Sequence, residues 1–284
     1  MKSQNRLRPC HADSSRQSLA SAEAPRGGGF TLIELMVVIG IIVLLTVLVV
    51  PAFTNLKGAS DIATAAETIT GTLAQARTYA IANNTYTWVG LYEEATSAPT
   101  PTNVAPPYAG KGRLLLATMR SLDGTSIFDD NDPSAVLPAT RIAQFGKLVK
   151  IEGVHMTDLG PPPSPTPIPT PLPNTLDGRP DLPYTYAASL SADHFNRINS
   201  ESGDKTKFSF LAQGYTFYKT IRFTPRGEAN INSTYSLKVA GELGLVPTHG
   251  DAAPTPPPVG GRYSGNVIAI QFSAVGGNFK IYRQ

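Results

Sequence analysis

The feature that most constrains this chain is an apolar run from Phe30 to Val50, which is followed by Pro51. As a helix, these 21 residues would extend roughly 31 Å at about 1.5 Å per residue, which matches a hydrocarbon core about 30 Å thick. Glu34 is the single charged side chain in the run. The run therefore predicts one membrane-spanning helix with an acid near its start.

Glu34 admits two interpretations. Thr31 and Glu34 stand in the S/T-x-x-E relation of a capping box, in which each side chain satisfies a backbone N–H of the first helical turn. Alternatively, the carboxylate awaits a positive partner, because an acid within a membrane helix costs on the order of 3 kcal/mol. An ordinary secretory signal peptide fits poorly, since its apolar region has about 7 to 15 residues, and an uncleaved signal anchor does not account for Glu34.

The residues around Gly29 and Phe30 resemble the class III signal of type IV pilins and type II secretion pseudopilins. The shared features are a leader that ends in Gly29, the aromatic Phe30, the acid Glu34 and an apolar helix after it. The resemblance implies that a prepilin peptidase cuts between Gly29 and Phe30 and methylates the new amino group of Phe30. It also implies that Glu34 pairs with the N-terminal ammonium of a neighbouring subunit during filament assembly.

The charge distribution and the cysteine content are consistent with export of the mature chain, which begins at Phe30. Five of the 24 basic residues and two of the 21 acidic residues precede Phe30, which leaves 19 of each in the mature chain. Under the positive-inside rule, the positive charge of the leader keeps the N-terminal side of the apolar run in the cytoplasm. Cys10, the single cysteine, lies in the leader, so no disulfide is available after cleavage. We expect a single-pass protein of the bacterial inner membrane with a periplasmic C-terminal domain, incorporated into a pseudopilus.

By composition the chain divides into four segments. They are residues 1–29, a cleaved leader; residues 30–50, a transmembrane helix and filament-assembly segment; residues 51–84, an amphipathic helix; and residues 85–284, a periplasmic β-sheet head domain. Pro51 is expected to kink the helix between its two halves, because proline removes a backbone donor. Asn83-Asn84 marks the expected helix end, since asparagine tolerates the left-handed conformation.

The segment after Pro51 carries apolar residues at steps of three and four, the spacing of one buried helix face. This predicted stripe comprises Phe53, Leu56, Ile62, Ala66, Ile69, Leu73, Ala76 and Ala80.

Eight segments rich in β-branched and aromatic residues predict an antiparallel sheet. They are residues 85–92, 113–120, 148–156, 207–211, 217–224, 235–239, 266–272 and 278–282. Gly276-Gly277 predicts that the last two form a closing β-hairpin. Proline-rich insertions at about 97–110, 160–183 and 246–261 are expected to be loops outside the core.

Within the pilin group, the order of elements resembles the H-type minor pseudopilins and the related fimbrial T-type minor pilins. The residues that carry this second resemblance are 73–77 and Ala80-Ile81 before a strand, and residues 221–227 before the closing hairpin. The implied fold class is α+β and pilin-like. A long N-terminal transmembrane-to-amphipathic helix would pack on an antiparallel β-sheet domain with Pro-rich loops.

The function that follows is a structural minor pseudopilin subunit, processed by prepilin peptidase and assembled into a type II secretion pseudopilus for protein export. Its expected partners are other pilins or pseudopilins, the prepilin peptidase, the inner-membrane assembly platform, and the membrane through Phe30 to Val50. The sequence shows no Walker loop, no G-x-G-x-x-G after a strand and no G-x-S-x-G, so we do not expect an enzyme.

Two ligand hypotheses accompany this function. Asp129, Asp130 and Asp132 gather hard oxygen ligands, and some pseudopilins bind calcium in such loops. The run lacks the glycine and distal glutamate of an EF-hand, and an Asx-rich turn also explains it. Calcium is the only cofactor considered, and zinc is not predicted because the histidines are isolated from other metal ligands.

The alternative function is a minor type IV pilin for DNA uptake or adhesion, with DNA binding through a basic C-terminal region. Arg262, Lys280 and Arg283 form that region, and no acid lies between Gly261 and Gln284. Three cations are few for a phosphate backbone, so nucleic acid is not the expected partner.

Overall fold

The computed structural model describes residues 30–98, 104–108, 110–127, 136–159, 176, 179, 197–203, 205–231, 241–255 and 265–283. The chain divides into two compact units, Met1–Val49 and Val50–Gln284. One helix, α1, covers Leu32–Ala82, and its described side chains are those of residues 32–47 and 60–82.

Twelve strands follow α1 in the described part of the chain. They are β1 Thr87–Ala95, β2 Gly112–Ser121, β3 Ile142–Gln144, β4 Val149–Thr157, β5 Arg197–Ile198, β6 Phe210–Ala212, β7 Tyr215–Phe217, β8 Lys219–Phe223, β9 Ala229–Asn230, β10 Gly241–Pro247, β11 Ile268–Phe272 and β12 Phe279–Arg283. Ten form one sheet in the order β12-β11-β10-β4-β2-β1-β8-β9, with β3 beside β2 and β5 beside β10. The β5–β10 pair is parallel, and β6 and β7 form a separate hairpin.

The second half of α1 packs on the sheet through a stripe of small and branched apolar residues. Ile62, Ala66, Ile69, Leu73, Ala76 and Ala80 are each at most 1% exposed. These are the described members of the stripe predicted from the spacing, whereas the side chains of Phe53 and Leu56 lie outside the description. Thr87 adds a polar contact, because its hydroxyl donates to the Ala76 carbonyl at 2.9 Å.

The helix ends in a Schellman motif. The N–H of Thr85 donates to the Ala80 carbonyl at 3.0 Å, and the N–H of Asn84 donates to the Ile81 carbonyl at 3.3 Å. Asn84 has φ of 47°, the left-handed conformation that asparagine tolerates. The chain therefore leaves α1 at the expected Asn83-Asn84 boundary and turns into β1.

The two ends of the sheet approach each other beside the end of α1. The rings of Phe223 in β8 and Phe279 in β12 are 6.1 Å apart, although these strands lie near opposite edges. Arg77 in α1 contacts one side of this approach, where its Nε donates to the Gly227 carbonyl at 3.2 Å. A Cβ on Gly277 would lie 2.1 Å from the Gly227 oxygen, so this approach requires glycine.

The predicted pilin-like α+β fold class is wrong. The chain is mostly antiparallel sheet, and β3, β5, β9 and β10 fall outside the eight predicted strand segments. Among the described residues of α1, only those from Ile62 onward contribute to the core. In the described part of the chain, no helix combines the length and apolarity needed to cross a membrane.

The predicted loops also contain core residues. Tyr108, within the first insertion, is buried, and its hydroxyl donates to the Leu91 carbonyl at 3.3 Å. Val246, at the start of the third insertion, lies in β10 and is fully buried. Arg179, in the second insertion, is 4% exposed because an ion pair holds it against the sheet. The predicted strand at residues 235–239 lies outside the described residues.

Candidate functional site

The start of α1 contains the described part of the predicted processing and assembly site. Phe30 precedes the helix and is 86% exposed, whereas Gly29 lies outside the described residues. The N–H and the hydroxyl of Thr31 each donate to Glu34 Oε2 at 2.8 Å, and the N–H of Glu34 donates to Thr31 Oγ1 at 3.3 Å. These bonds form a complete capping box. Cleavage before Phe30 would leave it intact, because both partners follow the cut.

The capping bonds use one oxygen of Glu34. All of the side-chain contacts of this carboxylate within the described residues go to Oε2. A carboxylate offers about four lone-pair sites on its two oxygens, so Oε1 can accept a further donor. Capping and pairing with an external cation are therefore compatible roles for Glu34.

The first half of α1 is apolar on every side. The large apolar residues between Leu32 and Val47 are 48–76% exposed within the chain. A helix that is hydrophobic all round is suited to lipid or to a bundle of helices rather than to water. Within the described residues, nothing covers these side chains.

A buried network around His155 lies in the sheet domain. His155 Nδ1 lies 2.9 Å from Glu93 Oε1, and His155 Nε2 lies 3.2 Å from Glu201 Oε1. Glu93 is fully buried and also accepts the N–H of Gly112 at 3.1 Å and of Met156 at 3.2 Å. A carboxylate oxygen thus lies within hydrogen-bond distance of each ring nitrogen, which favours the charged form of the imidazole.

The titration of the network follows from these contacts. Burial opposes the charge of His155, but the hydrogen bonds to Glu201 and Glu93 outweigh it and raise the pKa of the imidazole. The bond from His155, together with one from Lys111, lowers the pKa of Glu201 to about 2 against the effect of burial. Lys111 Nζ lies 2.7 Å from Glu201 Oε1 at the more exposed end of the network.

Ser200 also belongs to the network around His155. Ser200 Oγ lies 3.4 Å from His155 Nδ1, but its hydroxyl donates to the Met156 carbonyl at 3.0 Å. Ser200 is 3% exposed. In the sequence, this cluster is signalled only by Glu93, an acid that directly follows the predicted strand at residues 85–92, and nothing indicates its partners.

A second buried charge cluster anchors the 160–183 insertion. Arg179 Nε lies 3.2 Å from Glu242 Oε2, and both side chains are 3% exposed. Gln271 Nε2 donates to the same oxygen at 2.8 Å. Arg179 Nη2 donates to the Leu159 carbonyl at 3.4 Å, so residues on both sides of the proline-rich run meet at the sheet.

The other predicted site residues are only partly described. Lys280 and Arg283 lie on β12, where Lys280 Nζ is 4.8 Å from the centre of the Tyr282 ring and Arg283 Nη2 is 2.6 Å from Glu67 Oε1. Arg262 and the proposed calcium ligands Asp129, Asp130 and Asp132 lie outside the described residues. Within the residues that are described, no group of three or more His, Cys, Asp and Glu side chains could hold a metal ion.

Comparison with known proteins found no match for this chain. No protein-family model, no curated protein and no solved structure matches the chain.

Proposed function

We propose that this chain is a structural subunit of a type II secretion pseudopilus. It is made as an inner-membrane precursor, cut by prepilin peptidase between Gly29 and Phe30, N-methylated on Phe30 and assembled with other pilin-class subunits. The observation that carries the proposal is Gly29 directly before the apolar run, which begins with Phe30 and has Glu34 as its single charged residue. The sheet domain would lie in the periplasm.

The exposed apolar half of α1 supports this assignment. Side chains such as Leu32 and Val47 are 76% and 68% exposed within the chain. Burying apolar area contributes about 25 cal/mol per Å², so leaving so many of these side chains in water would be strongly unfavourable. In the proposed cycle they pass from lipid in the precursor to neighbouring helices in the filament.

The geometry of Glu34 supports a role in assembly. Its Oε2 is occupied by Thr31, and the other oxygen is available to a cation. The methylated ammonium of Phe30 in an adjacent subunit is a cation of the required charge. Such a pair becomes important once lipid or protein replaces water, because an unpartnered charge is then costly.

The described part of the C-terminal strand favours secretion over the DNA-binding alternative. Arg283 is paired with Glu67 at 2.6 Å, which neutralises one of the three cations on which that alternative rests. The binding of a DNA phosphate backbone usually recruits several unpaired basic side chains. A structural role in the pseudopilus therefore remains the preferred function.

The test is to express the full chain in a bacterium that has prepilin peptidase and a type II secretion apparatus, and to determine the mature N-terminus by mass spectrometry. We expect a chain that begins with N-methylated Phe30 and is recovered with the other pseudopilins. Gly29→Val should block cleavage, because by resemblance the peptidase needs a small residue there. Gly27→Val is the matched control and should be processed. An intact Met1 chain, or a mature start after residue 50, would refute the proposal.

A further inference from the structure

A polar groove of about 680 Å³ lies between the β3–β4 connection and the tip of the β6–β7 hairpin. Gln144, Lys147, Leu148 and Lys150 line one wall, and Gln213 and Tyr215 line the other. A volume of this size falls in the range of ligand pockets and exceeds the space that a single small anion fills. The groove therefore suits a ligand with several functional groups.

The wall that carries the lysines is fixed to the rest of the domain. The N–H of Phe145 donates to the Thr118 carbonyl at 3.1 Å, and the Thr118 hydroxyl donates back to the Phe145 carbonyl. The Phe145 ring stacks on Tyr79 of α1 with the ring centres 4.4 Å apart. Across the groove, Gln213 Nε2 donates to Gln144 Oε1 at 3.0 Å. Both walls are thus held in place before a ligand arrives, which reduces the entropy lost on binding.

The groove lining contains two lysines and no acid. Lys147 and Lys150 are exposed, and within the described residues neither makes an ion pair. Glu152 and Glu94, on the neighbouring strands, share Arg113, whose Nη2 lies 3.0 Å from Glu152 and whose Nη1 lies 3.2 Å from Glu94. Two lysines without acidic partners attract an anionic ligand.

We propose that this groove binds an extended acidic peptide segment of a partner protein. Lys147 and Lys150 contact its carboxylates, and Gln213 Oε1, which the bond between Gln213 Nε2 and Gln144 does not use, accepts a backbone N–H. Leu148, which is half-buried, offers the aliphatic contact. Nucleic acid fits less well because Tyr215, the aromatic residue in the lining, is 6% exposed and cannot stack on a base. The inference does not rest on the proposed function.

The test measures binding of a capped hexapeptide of alternating aspartate and glutamate to the full chain in neutral detergent at about 0.15 M salt, where distant charges are screened. We expect saturable binding that falls at least about tenfold in Lys147→Glu/Lys150→Glu, because two favourable charge contacts become repulsive. Lys205→Glu/Lys280→Glu is the matched control. It makes the same change in net charge at exposed lysines that lie over tyrosine rings outside the groove, and it should bind like the unaltered chain.

Circular dichroism and Trp88 fluorescence of each variant establish that the fold is kept. An equal loss in both double variants would overturn the proposal, because general charge rather than the groove would then hold the peptide. Failure of the unaltered chain to bind would overturn it as well. A single-stranded DNA oligonucleotide that competes for the groove with equal affinity would overturn the assignment to an acidic peptide. Each of these results can be told apart from a failure of processing at Gly29, which the peptide measurement does not involve.

Discussion

Glu93 Oε1 lies 2.9 Å from His155 Nδ1 in the interior of the sheet domain, although 62 residues separate the two in the chain. Glu93 is completely buried and His155 is 2% exposed. A buried ion pair of this kind is costly to break, because removal of one partner leaves the other charged and unpartnered. The pair therefore makes the stability of the domain depend on pH.

We predict that the free energy of unfolding falls as the pH rises above neutral. The pKa of His155 is raised in the folded chain above its ordinary value of 6.5, so its contribution is complete below pH 6.5 and is lost as the pH rises through the folded-state pKa. The pKa of Glu201 is lowered from 4.5 to about 2, so its contribution is complete above pH 4.5 and is lost as the pH falls towards 2. Urea unfolding followed by the fluorescence of Trp88, the single tryptophan, measures both limbs. If His155→Gln keeps the alkaline slope of the unaltered chain, His155 is not its source.

Replacing Glu93 should destabilise the domain far more than replacing Lys111. Glu93→Ala removes the acceptor for His155 and for two backbone N–H groups, and the expected loss is about 3–5 kcal/mol. Lys111→Ala breaks an ion pair with Glu201 in which the lysine side chain is 40% exposed, and the expected loss is below about 1 kcal/mol. The same urea titration at pH 6 compares the two. Equal losses would contradict the assignment of Glu93 as the centre of the network.

Two substitutions at the start of α1 separate capping from assembly. Thr31→Ala removes the cap but keeps the carboxylate, whereas Glu34→Gln keeps a hydrogen-bonding side chain but removes the charge. We expect Thr31→Ala to enter filaments and Glu34→Gln to be cleaved at Gly29 but to fail in assembly, because the ammonium of the contacting subunit loses its partner. Sheared filaments probed by immunoblot report assembly, and mass spectrometry reports cleavage. The opposite pattern would show that Glu34 acts only as a cap.

The proline-rich part of the 160–183 insertion should be dispensable for folding, whereas Arg179, which anchors the insertion to the sheet, should not be. Deletion of Gly160 to Pro173 keeps Arg179 in the chain, so we expect a small change in urea unfolding. Arg179→Ala removes the ion pair at 3.2 Å from the 3%-exposed Glu242 and leaves it only the more distant Arg197 at 3.9 Å, so the expected loss is about 1–3 kcal/mol. A deletion as damaging as Arg179→Ala would show that the removed residues themselves support the domain.

We predict that the chain is a minor subunit of its filament. In a helical homopolymer every subunit meets the same neighbours, so long insertions would have to fit between copies at each step. Quantitative mass spectrometry of sheared filaments measures the ratio to the most abundant pilin. A ratio near one would contradict this prediction.

Local patterns predicted some of the fold. The three- and four-residue spacing from Ile62 to Ala80 gave the buried face of α1, and the paired asparagines gave its end. The segment 278–282 and the glycines before it indicated the last hairpin, which the structure contains as β11 and β12. In each case the signal lies within a few neighbouring residues.

Other features depend on partners that are distant in the chain. β10 contains Gly241, Gly244 and Pro247, which are depleted in strands, yet β4, β5 and β11 pair with it. Tertiary packing thus overrides the low strand propensity of the β10 sequence. The partners of His155 could not be inferred for a related reason, since neither Glu93 nor Glu201 lies within 40 residues of it.

The position of β10 in the sheet has a consequence for the order in which this domain can form during synthesis. β4 pairs with β2 on one side and β10 on the other, so a nascent chain that ends before Gly241 exposes the backbone of β4 to water and to other chains. An open edge of this kind is a template for intermolecular pairing. Completion of the sheet must therefore wait for the last 44 residues, Gly241 to Gln284, and premature termination or C-terminal proteolysis would yield an aggregation-prone fragment rather than a smaller working domain.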